Sequence, residues 1–246
     1  MSHDAHIIYG LHAVLAALKQ HPGGVTELWV DDARHDDRVT QIIEAARQAR
    51  VTLRKVARRT LDERVPDARH QGVVAHCRSL PTYTEDDLEG LLGALDEAAF
   101  LLVLDGVQDP HNLGACLRSA AAAGVHAVIV PRDRAAGLTP AVRKVASGAA
   151  ESVPFIPVTN LARCLRELRD AGVWIVGAAG DAPTSLYQAD LRGPLALALG
   201  SEESGLRRLT REHCDLLVHI PMAGTVESLN VSVATGICLF EAVRQR

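Results

Sequence analysis

The sequence predicts an α/β protein in two units: a small N-terminal α/β domain, then a larger domain built on a mainly parallel sheet. Three observations carry that expectation. Short, continuously apolar runs alternate with longer segments of helical periodicity, the pattern of a sheet covered on both faces. Ala, Val and Leu dominate a composition that is 48% apolar and only 3% aromatic, which favours helix-covered sheets over a β-sandwich. A polar, Pro-containing stretch at residues 79–87 interrupts the apolar pattern as a linker does. With 246 residues, the chain is long enough to bury two modest cores.

In chain order, the change between periods predicts a helix over 10–19, a turn at Pro22-Gly23-Gly24, a strand over 27–30, a helix over 38–49, a strand over 52–56, a helix over 60–64 and a strand over 73–76. These form a domain over 1–78, with a linker and lead-in helix over 79–97. The second domain, 98–246, has strands at 100–104, 127–130, 153–156, 174–177, 195–199 and 216–220. Its helices fall at 113–123, 140–147, 161–171, 206–212 and 231–244. Parallel sheets bind ligands beyond the carboxyl ends of their strands, so the informative loops follow Leu104, Leu199 and Ile220.

The net charge of −4 argues at first against a nucleic-acid partner, but the charge is unevenly spread. Arg47, Arg50, Arg54, Lys55, Arg58, Arg59, Arg64, Arg69 and Arg78 face only Asp62, Glu63 and Asp67 within their stretch, whereas 81–110 holds no Lys or Arg. Such a run is either a solvated surface or a grip on phosphates. Cys77, Cys116, Cys164, Cys214 and Cys238 are scattered without a CxxC pair and read as buried, reduced thiols. Glu212-His213-Cys214 lacks a second ligand cluster, so no metal site is expected. No apolar run approaches the roughly 20 residues that span a bilayer, and the first ten residues lack the pattern of a signal peptide; the expectation is a cytoplasmic protein with no membrane contact.

In the first informative loop, Asn112 suits a helix N-cap, Gly114 lets another chain or a ligand approach the backbone, and Arg118 lies one turn further on the same side, where it could meet a phosphate. A plain cap and a surface arginine would explain the same residues. In the second, Gly200, Glu202 and Gly205 match neither a Walker loop nor the GxGxxG dinucleotide spacing, and the acidic residues suit a hydroxyl-rich or cationic ligand. In the third, Ser228, Asn230 and Ser232 precede or open the last helix. Capping accounts for one of them; the others need buried partners or a ligand.

Together, Asn112, Gly114 and Arg118, then Gly200, Glu202 and Gly205, then Ile220-Pro221-Met222, Gly224 and Ser228-Leu229-Asn230-Val231-Ser232 resemble, in order, the three motifs of the SPOUT superfamily of RNA methyltransferases, specifically its TrmH-like ribose 2′-O group. The resemblance covers most of 98–246. Through Tyr9-Gly10-Leu11-His12 and His70-Gln71-Gly72-Val73-Val74-Ala75, the N-terminal unit looks like the L30e-like RNA-binding domain of several relatives. The resemblance implies a trefoil-knotted C-terminal domain, a homodimer with active sites at the knotted interface, and S-adenosylmethionine bound among the three loops. Gly200, Gly205, Ile220, Met222 and Leu229 would contact that cofactor, largely through backbone atoms. Arg118 would act on the 2′-hydroxyl, orienting rather than deprotonating it because a guanidinium keeps its proton in proteins. Asn112 and Glu202 would position substrate and Arg118, while Ser228 and Asn230 would hold ribose or phosphate.

Residues 220–246 look most like bacterial enzymes that methylate a guanosine of 23S rRNA, which implies that reaction, with 23S rRNA or another structured RNA as partner and no DNA. A tRNA ribose methyltransferase and a non-catalytic RNA-binding module remain alternatives; the missing GxGxxG disfavours an oxidoreductase. On this reading Arg47, Arg50, Arg54, Lys55, Arg58, Arg59 and Arg69 grip RNA phosphates. Glu203 stands where many relatives carry Gly, and its side chain is expected to face solvent.

Overall fold

The computed structural model describes residues 6–20, 22–77, 83–202 and 204–246, and the chain divides into two compact units, Met1–Thr82 and Tyr83–Arg246. The first unit holds a four-stranded sheet ordered β1 (His6–Tyr9), β4 (Val73–Cys77), β2 (Val25–Asp31), β3 (Thr52–Val56). Only β2 and β3 run parallel. Strand alternation sorts the side chains: Leu28 and Val30 face α1 (Leu11–Gln20) and α2 (Asp37–Gln48), whereas Trp29 turns to the other face with Leu61 of α3 (Arg58–Arg64). Asp36 starts α2 by accepting from the backbone amides of Arg38 and Val39. The sequence reading has no counterpart to β1. Of the linker expected at 79–87, residues 79–82 lie outside the described residues, and Asp87 already begins a helix, α4 (Asp87–Gly93).

The second unit is a seven-stranded sheet in the order β7 (Phe155–Val158), β6 (Ala127–Pro131), β5 (Phe100–Asp105), β10 (Leu195–Gly200), β8 (Trp174–Ala178), β11 (Leu216–His219), β9 (Thr184–Ser185). All its described pairings are parallel. β5 is buried throughout, with Phe100, Leu102 and Leu104 on one face and Leu101 and Val103 on the other. The first face packs under α5 (Pro110–Ala123), α6 (Pro140–Ala146), α7 (Ala149–Ser152) and α10 (Val231–Gln245); α4 and α8 (Leu161–Asp170) cover the second, where α9 (Arg208–His213) also packs against α8. From β5 the chain first builds outward through β6 and β7, then returns to place β10 on β5's other side. That reversal opens a crevice at the carboxyl ends of β5 and β10.

Of the boundaries that differ from the sequence expectation, two have a clear local cause. The strand expected at 153–156 is β7, Phe155–Val158, because Gly148, at φ +95°, restarts the chain as the short helix α7 and delays the strand. The helix expected at 113–123 begins at Pro110, where Asp109 accepts from the amide of His111 and proline occupies the first turn. At the far end, the last helix is tied down: Gln245 donates to the Ala189 carbonyl (3.1 Å) and accepts from the Leu191 amide (3.0 Å), and the Arg246 guanidinium donates to the Ala98 carbonyl (2.6 Å). No helix among the described residues is long and apolar enough to cross a membrane.

Candidate active site

β5 and β10 run in register, so Asp105 and Gly200 lie side by side at their carboxyl ends. Asp105 is buried, and its carboxylate accepts from the Arg207 amide (2.8 Å) and from the Arg207 guanidinium. This pins the far end of the second loop to the start of the first. Between them the second loop folds back on itself: Ser201 and Gly205 exchange backbone hydrogen bonds of 3.2 and 3.0 Å. The turn leaves no room at Gly200, where a Cβ would sit 1.9 Å from the Gly205 carbonyl carbon. Gly205 itself has φ +63°.

The first loop corrects two sequence expectations. Asn112 does not cap α5; Asp109 does, leaving the Asn112 side chain in the first turn free to reach elsewhere. Its amide nitrogen donates to Glu202 in the second loop, and its oxygen accepts from Asn230 Nδ2 at 3.0 Å in the third. Gly114 is needed for packing within the chain: a Cβ there would lie 2.7 Å from Val145 Cβ and 2.9 Å from the Val142 carbonyl, so the glycine lets α6 press against α5. Asn230 is the true cap of α10, accepting from the Ser232 amide (2.9 Å) and hydroxyl (2.6 Å). The three motifs, up to 118 residues apart, thus meet in one hydrogen-bonded chain, Glu202 to Asn112 to Asn230 to Ser232.

Beside this chain lies a cleft of about 260 Å³ at the ends of β8, β10 and β11. Gly200, Gly205, Ile220, Met222 and Leu229 all line it, as do Glu202 and Ser228. Its walls include two carboxylates, Glu202 and Glu227, and no Lys or Arg. The sequence reading missed one wall, Ala178-Ala179-Gly180 after β8; its signal was the run of small residues from Gly177 to Gly180 immediately after an apolar strand. Arg118 is exposed on α5 and forms no ion pair among the described residues. Cys116, packed beneath the site with its sulfur 3.4 Å from the Thr235 hydroxyl, is pushed up to about 11 by burial, so it stays a thiol at neutral pH.

The basic residues of the first unit do not form one patch. Arg50 precedes β3 and Arg58 follows it, at opposite ends of the strand, while Arg54 and Lys55, adjacent on this edge strand, point to opposite faces. Arg54 is paired with Glu27 and Arg59 with Glu63 (3.0 Å); Arg58 lies 4.0 Å from Asp31. Arg47, Arg50, Lys55 and Arg69 are exposed without an ion pair among the described residues. Arg78 and Glu203 lie outside the described residues. Cys77, Cys116, Cys164 and Cys238 are buried, while Cys214 is half-buried. Among the described residues no group of three His, Cys, Asp or Glu is placed to hold a metal ion.

Residues 99–240 match the SpoU rRNA Methylase family, and residues 7–83 match the family described as RNA 2′-O ribose methyltransferase substrate binding. The chain belongs to the SpoU rRNA methylase family. Among curated SpoU relatives, the 23S rRNA (guanosine-2′-O-)-methyltransferase RlmB of Shewanella oneidensis is 58% identical over 98% of this chain and 97% of its own length. The protein of the same name from Escherichia coli is 57% identical over 98% of each chain. Among solved structures, the SpoU methyltransferase AviRb from Streptomyces viridochromogenes in complex with AdoMet superposes with TM-score 0.76 and 27% identity, covering 98% of this chain and 90% of that one.

Proposed function

We propose that this chain transfers a methyl group from S-adenosylmethionine to the ribose 2′-hydroxyl of a guanosine in 23S rRNA. The observation that carries the reading is the hydrogen-bonded meeting of Asn112, Glu202 and Asn230 beside the cleft, in a chain that matches RlmB relatives over nearly its whole length. The cleft suits the methyl donor: its apolar walls fit an adenosyl group, the backbone of Gly200, Ile220 and Leu229 along its wall would bond its polar edges, and Glu202 and Glu227 give a field favourable to a sulfonium.

S-adenosylmethionine, when bound, supplies the methyl carbon that the ribose oxygen takes as the carbon–sulfur bond breaks. Asn112, fixed from both sides by Glu202 and Asn230, and Ser228 at the cleft wall orient the ribose for in-line attack. Arg118 has no ion pair among the described residues to release; it holds the target phosphate and stabilises negative charge developing on the 2′ oxygen, and the hydroxyl proton passes to solvent. An Arg118→Ala variant is expected to keep its affinity for the cofactor, to bind RNA more weakly by the one lost phosphate contact, and, at saturating RNA, to lose on the order of 100-fold or more in methylation rate; an unchanged rate would overturn the assignment. Mapping 2′-O-methylation in a deletion strain separates the substrates: a lost mark in 23S rRNA supports the reading, and one lost only from tRNA refutes it.

The active form is a homodimer. Val233, Phe240 and Val243 stand 50%, 50% and 40% exposed on α10, an apolar stripe at helical spacing that a second copy would cover. The second unit is read, from the resemblance of its three motifs, as trefoil-knotted, with the last helix tied to the 186–194 segment through Gln245 and Arg246. The first unit, read as an L30e-like fold, binds the RNA substrate, and a cytoplasmic location follows from that substrate.

A further inference from the structure

We propose that Arg134 and Lys144 form a second RNA-phosphate contact on the catalytic unit, gripping the strand that flanks the target nucleotide. The inference rests on the 23S rRNA reading above and relocates part of recognition away from the first unit. The loop after β6 is packed directly against the site: Ala136 donates its amide to the carbonyl of Val107, the residue after Gly106 (2.9 Å). A Cβ on Gly106 would lie 3.7 Å from the Arg134 carbonyl and 4.0 Å from Ser201 Cβ, and Ser201 lines the cleft. The backbone at Arg134 therefore passes one glycine away from Ser201, a wall of the cleft.

The backbone there is unusual as well as close. Arg134 adopts φ +60°, the left-handed conformation that side chains other than Asn and Asp rarely take, and it is exposed with no ion pair among the described residues. Lys144 lies on α6 between Val142 and Val145, the residues that press on Gly114, one turn before Arg118 on α5. It too is exposed and unpaired among the described residues, whereas its neighbour Arg143 is occupied by Glu151 at 2.7 Å.

Charge on the other face of the sheet sharpens the argument. The groove between α4 and α8 is lined by Glu85, Asp86, Glu89, Glu167 and Asp170, with Arg163 already paired to Glu85. That groove repels a polyanion, while the opposite face, with the loop after β6, offers Arg118, Arg134 and Lys144 exposed and without an ion pair among the described residues.

The test compares the full-length wild type with Arg134→Asn/Lys144→Gln, the asparagine chosen because it tolerates the left-handed backbone. The ligand is full-length 23S rRNA transcript, with binding followed over a salt series and methylation at saturating cofactor. Two lost phosphate contacts lower the slope of log affinity against log salt by about 0.7 to 0.9 each and raise KM for RNA on the order of 10-fold, with S-adenosylmethionine affinity unchanged. An Arg134→Lys/Lys144→Arg variant restores both. An unchanged slope and KM would overturn the inference. A wild type that binds the transcript without methylating it would overturn the proposed reaction, and the binding arm would still decide this contact.

Discussion

Gly200→Ala is expected to abolish cofactor binding while leaving the fold intact. The added methyl would lie 1.9 Å from the Gly205 carbonyl carbon, 2.1 Å from the Leu206 nitrogen and 2.2 Å from the Gly205 oxygen, all backbone atoms that no rotamer change can move aside. Carbon atoms pack at about 3.5 Å or more, so the returning arm of the loop must retreat by roughly 1.5 Å. It cannot do so freely. Arg207, two residues beyond Gly205, is held at its amide and guanidinium by the buried Asp105, and Leu206 is itself buried. The strain appears partly as lost stability, about 1 to 3 kcal/mol for overpacking, and partly as a displaced Glu202 that no longer meets Asn112.

A misplacement of about 1 Å in a reacting geometry costs on the order of 100-fold in rate. The control is Gly224→Ala, in the third motif, where an added Cβ meets nothing within 4 Å; it should fall within about 0.5 kcal/mol of wild type. Calorimetric titration with S-adenosylmethionine, alongside thermal unfolding of both variants, separates the two. Wild-type affinity in Gly200→Ala would refute the claim that this glycine shapes the cleft.

Four further outcomes are expected. Arg207→Ala should destabilise more than Asp105→Asn, because the first strands a buried carboxylate while the second keeps an acceptor and lets a half-exposed guanidinium return to water; equal losses in denaturant titrations would contradict this. Phe240→Glu should give a monomer by sedimentation, whereas an unshifted coefficient would rule out α10 as the dimer face. Glu241 is held down to about 2 by hydrogen bonds from Arg244 and Gln245; its folded pKa lies below the unfolded value, so its stabilisation is full above about pH 4.5 and lost as pH falls towards 2. Glu241→Gln should flatten that acid limb of the stability profile. Cys164 and Cys238, each raised to about 12 by burial, should resist alkylation at pH 8 until the protein unfolds, and rapid native labelling would show the core opens locally.

What the sequence could reveal follows from the range of the physics involved. Strands buried on both faces announce themselves as apolar runs, so β5 and β10 were readable to within a residue. β1 was not: its four residues, His-Ile-Ile-Tyr, are too few to show a period, and pairing with β4 makes it a strand. Asn112 was misread as a cap because the stronger local signal, Asp109 followed by Pro110, was passed over. Gly114 was read for close approach correctly, but nothing local says that the approaching group is α6.

The long-range hydrogen bonds are a different case. No property of Asn112, Glu202 or Asn230 announces that they touch, and neither does any property of Asp105 and Arg207. Their meeting follows from one fact of topology, that β10 returns to lie beside β5 in register, Gly200 against Asp105. Once that pairing exists, the first and second loops must leave the sheet side by side. The third loop joins because β11 lies one strand beyond β8 and α10 packs on α5. Strand order is set by the whole chain's burial rather than by local pattern, so the motifs could be found in the sequence while the reason they act together could not.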